Sequence, residues 1–226
     1  MDRRRFTLCS VAASANLITP RFAAAALSDF SDADASAGLR TALERGAAAA
    51  VSRLGVQDGF FSNPKVKIPL PGLLQDAAGV ARMFGMGKDL DELSLAMNRA
   101  AEAAVPRAKT LLTQAVRSMT VTDAKNILTG GETSVTDFFA AKTRTPLYEQ
   151  FLPIVRDVTD RAGLARRYNA LVAKLRLSGN DSKVENHVTD KALDGLFYMI
   201  GQEEIAIRRN PVGYGSDILK KVFGAL

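Results

Sequence analysis

A single all-α domain is what this sequence predicts, and three observations predict it. Apolar residues recur three and four positions apart along most of the chain. No stretch alternates apolar and polar residues as a half-buried strand does, and neither an internal repeat nor a low-complexity linker interrupts the pattern. Glycines and prolines fall between the periodic stretches, where helices end and begin. The expected architecture is a compact single-domain bundle of about eight or nine short helices with one Pro-rich ordered loop. Residues 27–226 are numerous enough, and rich enough in Ala and Leu, to bury a core without covalent staples.

Each element follows from its own spacing. Leu39, Leu43, Ala47, Ala50, Val51 and Leu54 share one face, and Gly55 is placed to end a helix over 36–54. The segment 56–72 carries Pro64, Pro69 and Pro71 and cannot be helical throughout, yet Phe60, Phe61, Val66, Ile68 and Leu70 give it side chains to bury. It is expected to pack as a strap over the helices. A helix over 73–84 is closed by Gly85 and Gly87. Leu90, Leu93, Met97, Ala100 and Ala104 make the next apolar face, which Pro106 kinks or restarts into a helix reaching Met119. Thr120 or Thr122 caps a short helix before Gly130-Gly131, and Thr133 or Ser134 starts another through Lys142. Pro146 fits the first turn of a helix to Ala162, bent at Pro153. Helices over 164–175, 189–209 and 216–223 complete the set.

The first 26 residues read as a bacterial export signal. Arg3, Arg4 and Arg5 are followed by a short, mildly apolar run from Phe6 to Ile18, and Ala24-Ala25-Ala26 offers an Ala-x-Ala cleavage site. Arg3-Arg4-Arg5-Phe6-Thr7-Leu8 has the look of a twin-arginine signal, which would send a folded protein to the periplasm. The run is too short and polar for a membrane span of about 20 apolar residues, and no later segment is long enough. Cleavage after Ala26 would remove four of the 30 basic residues and one of the 24 acidic ones, so the net charge falls from +6 to +3. A nucleic-acid partner thereby loses its compositional support. Cleavage also removes Cys9, the only cysteine, and with it disulfides, thiolate metal sites and a cysteine nucleophile.

A family resemblance rests on motifs spread along the chain. Asp58-Gly59-Phe60, Asn63-Pro64-Lys65-Val66-Lys67-Ile68-Pro69-Leu70-Pro71, Met97-Asn98-Arg99-Ala100-Ala101-Glu102, Leu128-Thr129-Gly130-Gly131 and Lys191-Ala192-Leu193-Asp194-Gly195-Leu196-Phe197-Tyr198-Met199-Ile200 resemble the bacterial exported family known as domain of unknown function 4197. The likeness covers nearly all of residues 36–224. It implies an all-helical, envelope-targeted domain and carries no assigned activity.

Candidate site residues come from polar groups placed where apolar ones belong. On a helical wheel Leu193, Leu196, Ile200 and Ile207 form one stripe with Glu203 and Glu204 at its two edges. A buried carboxylate persists only if it is paired or coordinated, so these acids are candidates for ligand contacts or for ion pairs with Arg99, Arg208 or Lys109. They diverge by about 100° and would not chelate one metal together. Asn98, Arg99 and Glu102 form a second polar patch, opposite Leu93 and Met97, and Arg99 can hold a carboxylate or phosphate bidentately or tie its helix to the Glu203-Glu204 helix. Asp194 and Tyr198 complete the ligand-binding candidates. The single His187, just ahead of the expected helix start, completes neither a metal set nor a catalytic triad, and Gly130-Gly131 lacks the lysine and strand of a nucleotide loop. No motif calls for a metal or a cofactor.

Three readings follow. The first is a binding or interaction module for an apolar or anionic small molecule or an envelope protein. The second is a hydrolytic enzyme using the acids in a helical cleft, and the third is a purely structural envelope protein. A cleft containing Arg99 with Glu203 or Glu204 would favour the first two; a packed bundle with those groups salt-bridged would favour the third. The export reading is tested directly: changing Arg3, Arg4 and Arg5 together to Lys should hold the protein in the cytoplasm on fractionation, and normal export of that variant would rule out the twin-arginine route.

Overall fold

The computed structural model of the chain describes residues 30–177 and 183–226; the export signal expected over residues 1–26 falls outside the described residues. Among the described residues eight α-helices follow one another: α1 (Asp32–Leu54), α2 (Gly72–Met83), α3 (Gly87–Ser118), α4 (Ala124–Leu128), α5 (Ser134–Arg161), α6 (Leu164–Lys174), α7 (Val184–Arg209) and α8 (Asp217–Phe223). A 3-10 turn, Pro211–Tyr214, joins the last two. There is no strand among the described residues. The all-α bundle is therefore as the periodicity requires.

Helix α7 is the central element, packed between α1 and α5, and α3 closes the bundle against the same two helices. Its apolar residues Leu193, Leu196, Ile200 and Ile207 are buried in one continuous core with Leu39 and Leu43 of α1, Leu93 and Met97 of α3 and Phe139 and Phe151 of α5.

Two prolines read as possible helix starts lie within continuous helices: Pro106 inside α3, which runs for 32 residues, and Pro146 inside the 28-residue α5, which also contains Pro153, as expected for a proline within a helix. Tertiary burial overrides the local penalty of about 3 kcal/mol per proline, because α3 is anchored by Leu90, Leu93 and Met97 before Pro106 and by Ala108, Leu112 and Val116 after it. The helices are accordingly longer than expected. Helix α1 also starts earlier, at a capping box in which the Ser31 hydroxyl and the Asp34 carboxylate satisfy each other's backbone N–H groups. Lys221 of α8 reaches the same carboxylate at 2.8 Å. Its hydrogen bond, with those from Ser31, pushes the Asp34 pKa down to about 2.

The strap between α1 and α2 is seated rather than loose. Phe60, Val66, Ile68 and Leu70 are buried, and the Phe60 ring lies so close to α7 that a Cβ on Gly195 would stand 2.7 Å from it. Only glycine lets the strap and the helix approach this far. His187 sits in the first turn of α7, which begins at Val184 rather than Thr189, and its Nε2 is 2.8 Å from the Pro69 carbonyl oxygen. It is a fastening for the strap, not the solvated residue ahead of a helix that its position suggested. Ile68→Ala should cost about 2–4 kcal/mol in urea unfolding with an unchanged m-value, because a fully buried side chain leaves a cavity.

Candidate functional site

Asn98, Arg99 and Glu102 lie on one face of α3 and all three turn to the strap. The fully buried Asn98 accepts from the Ile68 N–H (2.8 Å) and donates to the Ile68 carbonyl (3.0 Å), pairing with that residue as a neighbouring strand would. Its amide also donates to the Ser94 carbonyl at 2.8 Å. One turn on, Glu102 accepts from the Phe60 and Phe61 N–H groups at 3.0 and 3.1 Å through one oxygen and from Arg99 at 2.7 Å through the other. Arg99 continues to Asp58 at 2.8 Å. The hydrogen bond to Glu102 pushes the Arg99 pKa up. The expected bridge from Arg99 to the Glu203-Glu204 helix is thus corrected: Arg99 is held on its own helix and on the strap, since Glu102 stands three residues away, on the same helical face.

Glu203 and Glu204 are both buried and point to different helices, as their angular separation on α7 requires. Glu203 accepts from the Tyr214 hydroxyl at 2.9 Å and pairs with Arg53 of α1 at 3.3 Å. Burial, then the hydrogen bond into this carboxylate, pushes the Tyr214 pKa up. Glu204 instead faces the start of α5. It accepts from the N–H groups of Val135 (3.1 Å) and Thr136 (2.8 Å), from the Thr136 hydroxyl (2.7 Å) and from Arg208 through Nε (3.0 Å) and Nη2 (2.8 Å). Helix α5 has no side-chain cap from its own Thr133, so Glu204 is its N-cap, supplied by another helix. Arg208 extends the cluster by donating to the Leu128 carbonyl at the end of α4 and to the Ser134 hydroxyl. The partner is Arg208, four residues along the same helix, rather than Arg99.

The two remaining candidates line a groove. Asp194 and Tyr198, with Lys65, Lys67 and Lys191, border a space of about 380 Å³ between the strap and α7. Burial works against the charge on Asp194, but hydrogen bonds from Lys191 and Arg144 hold its carboxyl below the usual range. Asp194 meets Arg144 at 2.7 Å and Lys191 at 3.0 Å.

A larger cleft lies where the sequence offered no warning. About 540 Å³ in volume, it opens between the last turns of α3 and the middle of α5. Leu111, Ala115, Met119, Pro146 and Leu147 form its apolar lining, and Gln114, Ser118, Thr120, Lys142 and Gln150 bring polar groups to it. The floor is fixed from behind, because Arg40 donates to the carbonyls of Arg117 and Met119 at 2.7 Å each and so caps the end of α3. Pro146 shapes the other wall: having no N–H, it leaves the Lys142 carbonyl without its helical donor. Among the described residues Gln114, Thr120, Lys142 and Gln150 make no side-chain hydrogen bond or ion pair.

Among the described residues no three His, Cys, Asp or Glu side chains are grouped to hold a metal ion, and no helix is long and apolar enough to cross a membrane. The fold and its contacts define a class: an all-α bundle whose strap and helix ends are completed by buried polar side chains from distant helices. Within that class, the chain belongs to the family described as Protein of unknown function (DUF4197), which matches residues 29–224, in agreement with the motifs read from the sequence. No curated protein and no solved structure matches it.

The capping role of Glu204 has a measurable consequence. Arg208→Met should lower stability by about 3–5 kcal/mol, because it leaves the buried Glu204 carboxylate without its cation, and Glu204→Gln should cost less, because Arg208 is only part-buried and keeps the Leu128 carbonyl and the Ser134 hydroxyl. Their double variant should lose much less than the sum, whereas additive losses would show that the two side chains act independently.

Proposed function

We propose that this chain is an exported helical binding module that holds an amphiphilic anion in the cleft between α3 and α5. One observation carries the reading: an apolar lining beside four polar side chains, one of them the cation Lys142, that have no partner among the described residues. A binding pocket has this composition, with apolar walls for affinity and a few convergent polar groups for orientation. The volume of about 540 Å³ lies in the range that takes small molecules. Lys142 would meet the anionic head, with Gln114, Thr120 and Gln150 as neutral donors beside it, and Leu111, Ala115 and Leu147 would take the apolar body.

The same contacts speak against the hydrolytic reading. Glu102, Glu203 and Glu204 are each engaged by backbone N–H groups, a hydroxyl or an arginine, and an acid so engaged is poorly placed to trade a proton with a substrate. Asn98, Arg99, Glu102, Glu203 and Glu204 are therefore read as holders of the fold. Asp194 and Tyr198 stay open to the small groove beside the strap. The periplasm is the proposed location, on the strength of the arginine-led start, the short apolar run and Ala24-Ala25-Ala26.

Sodium decanoate is the probe. Titration followed by amide and methyl NMR should give saturable shifts at Ala115, Thr143 and Leu147. Lys142→Met should weaken binding about tenfold or more, as expected for one charge-assisted contact of about 1.5–3 kcal/mol, and Ala115→Phe should fill the cleft and abolish it. Unsaturable shifts, or equal affinity for decyltrimethylammonium, would leave the proposal without support.

A further inference from the structure

The groove that Asp194 and Tyr198 border, between the strap and α7, has charges that do not balance. Lys191, Asp194 and Tyr198 follow one another at spacings of three and four on α7, so they share one helical face. Lys65 and Lys67 border the groove from the strap, and Val66 with Gly195 closes its base. A Cβ on that glycine would stand 3.4 Å from the Val66 side chain, so strap and helix are in contact there.

Each cation stands differently. Lys65 makes no side-chain hydrogen bond or ion pair among the described residues. The Lys67 ammonium lies 4.1 Å from the centroid of the Phe61 ring, a contact that steadies a cation without neutralising it. Lys67 also feels Asp91, which Arg82 already holds at 2.6 Å. Lys191 shares its acid: Arg144 binds one oxygen of Asp194 at 2.7 Å and Lys191 the other at 3.0 Å. Arg144 also stands 3.5 Å from Asp190. Lys65, Lys67, Lys191 and Arg144 thus meet only Asp194 and Asp190, which leaves a surplus of two positive charges. The side chains of Lys191 and Asp194 are 42% and 43% exposed, and a pair so open to water is worth little. Lys191 is therefore free to turn into the groove while Arg144 keeps Asp194 paired.

We propose that this groove binds the phosphate monoester of a small hydroxylated molecule. Such an ester carries a charge of about −1.5 to −2 at neutral pH and three acceptor oxygens, which suits two surplus cations with donors on both walls. Lysine binds phosphate as a point charge and needs no fixed fork. A carboxylate would leave one cation unmatched. The rest of the groove fits the body of the ester. Val66, Pro69 and the Tyr198 ring supply an apolar surface, and the Tyr198 hydroxyl, with no partner among the described residues, is available to a ligand hydroxyl. The volume of about 380 Å³ lies at the small end of the range for ligand pockets. The inference is independent of the α3–α5 cleft, which shares no lining residue with this groove.

Glycerol phosphate is the probe, titrated into the full chain at constant ionic strength and followed by amide NMR. Saturable shifts are expected at Val66, Lys67, Asp194 and Gly195, with none from glycerol and weaker binding of dimethyl phosphate, a singly charged diester. Lys65→Met and Lys191→Met should each weaken binding about tenfold or more. Asp194→Asn, which frees Lys191, should strengthen it by up to about fivefold. Ala115→Phe, which fills the other cleft, should leave it unchanged. Lys65 is exposed and holds nothing in the fold, so its variant should keep the melting temperature of the parent. Phosphatidylcholine vesicles containing phosphatidic acid display the same group on a membrane and decide its source. Flotation that Lys65→Met abolishes assigns the ester to a lipid headgroup, and saturable binding of the soluble ester without flotation assigns it to a free molecule. Neither saturable shifts nor flotation, shifts centred on Ala115 and Leu147 instead, or undiminished affinity in both lysine variants would each overturn the proposal.

Discussion

The buried carboxylate of Glu204, acting as the cap of a helix it does not belong to, is the contact on which the arrangement of α4, α5 and α7 depends. Taking a carboxylate out of water costs several kcal/mol, and a single guanidinium rarely compensates. Here the group has five donor contacts, from two backbone amides, one hydroxyl and two nitrogens of Arg208. It also faces the positive end of the α5 dipole, where a negative charge is favoured. Each of the first amides of α5 would otherwise be an unpaired donor inside the protein. Arg208 carries the linkage further, since the Ser134 hydroxyl that it touches donates to the Ile127 carbonyl. The end of α4 and the start of α5 are thus locked to one turn of α7.

The same device recurs wherever the backbone leaves regular structure in the interior. Glu102 collects the amides of Phe60 and Phe61, Asn98 satisfies both backbone groups of Ile68, and Arg40 takes the carbonyls of Arg117 and Met119. A strap with buried Phe60 and Ile68 cannot rely on water for its backbone. Side chains from α3 supply the missing partners, which is why a segment with three prolines is as fixed as the helices around it. The polar residues that looked like ligand contacts are mostly these partners. A buried polar group identifies itself in a sequence, but whether it faces a ligand or an amide is a property of the fold.

Legibility follows from range. The helices, the strap and the burial of Glu203 and Glu204 were readable because each is written in residues a few positions apart. The partner of Glu204 was readable in part: Arg208 is at the i,i+4 spacing that favours pairing, while Arg99 was an equal candidate until the fold placed it beside Glu102 and Asp58. The Ser31-Asp34 box also lies within a turn of sequence, with Asp where Glu is usual, and the expected helix began beyond it, at residue 36. The receptor amides at 135 and 136 lie about seventy residues from Glu204, and no local pattern announces them. For the same reason the α3–α5 cleft was invisible, being made by two segments distant in the chain.

The prolines show why local rules failed where they did. Pro106, Pro146 and Pro153 are all exposed, although each lies inside a long helix. A proline removes one intrahelical hydrogen bond and crowds the carbonyl four residues back, and both effects fall on its own face of the helix. On a solvent-facing side, helices already curve so that hydrogen bonds lengthen and carbonyls tilt toward water. The freed carbonyl is then satisfied by solvent, and the opposite face keeps its buried contacts. At Pro146 that solvent-facing side is also the wall of the cleft, so the carbonyl of Lys142 is released beside the one unpaired lysine among the lining residues. A helix break in this position would have separated Thr143 from Leu147, both buried, and dismantled the wall. The continuous helix keeps them on one face and leaves a backbone acceptor and a cation together at the edge of an apolar hollow.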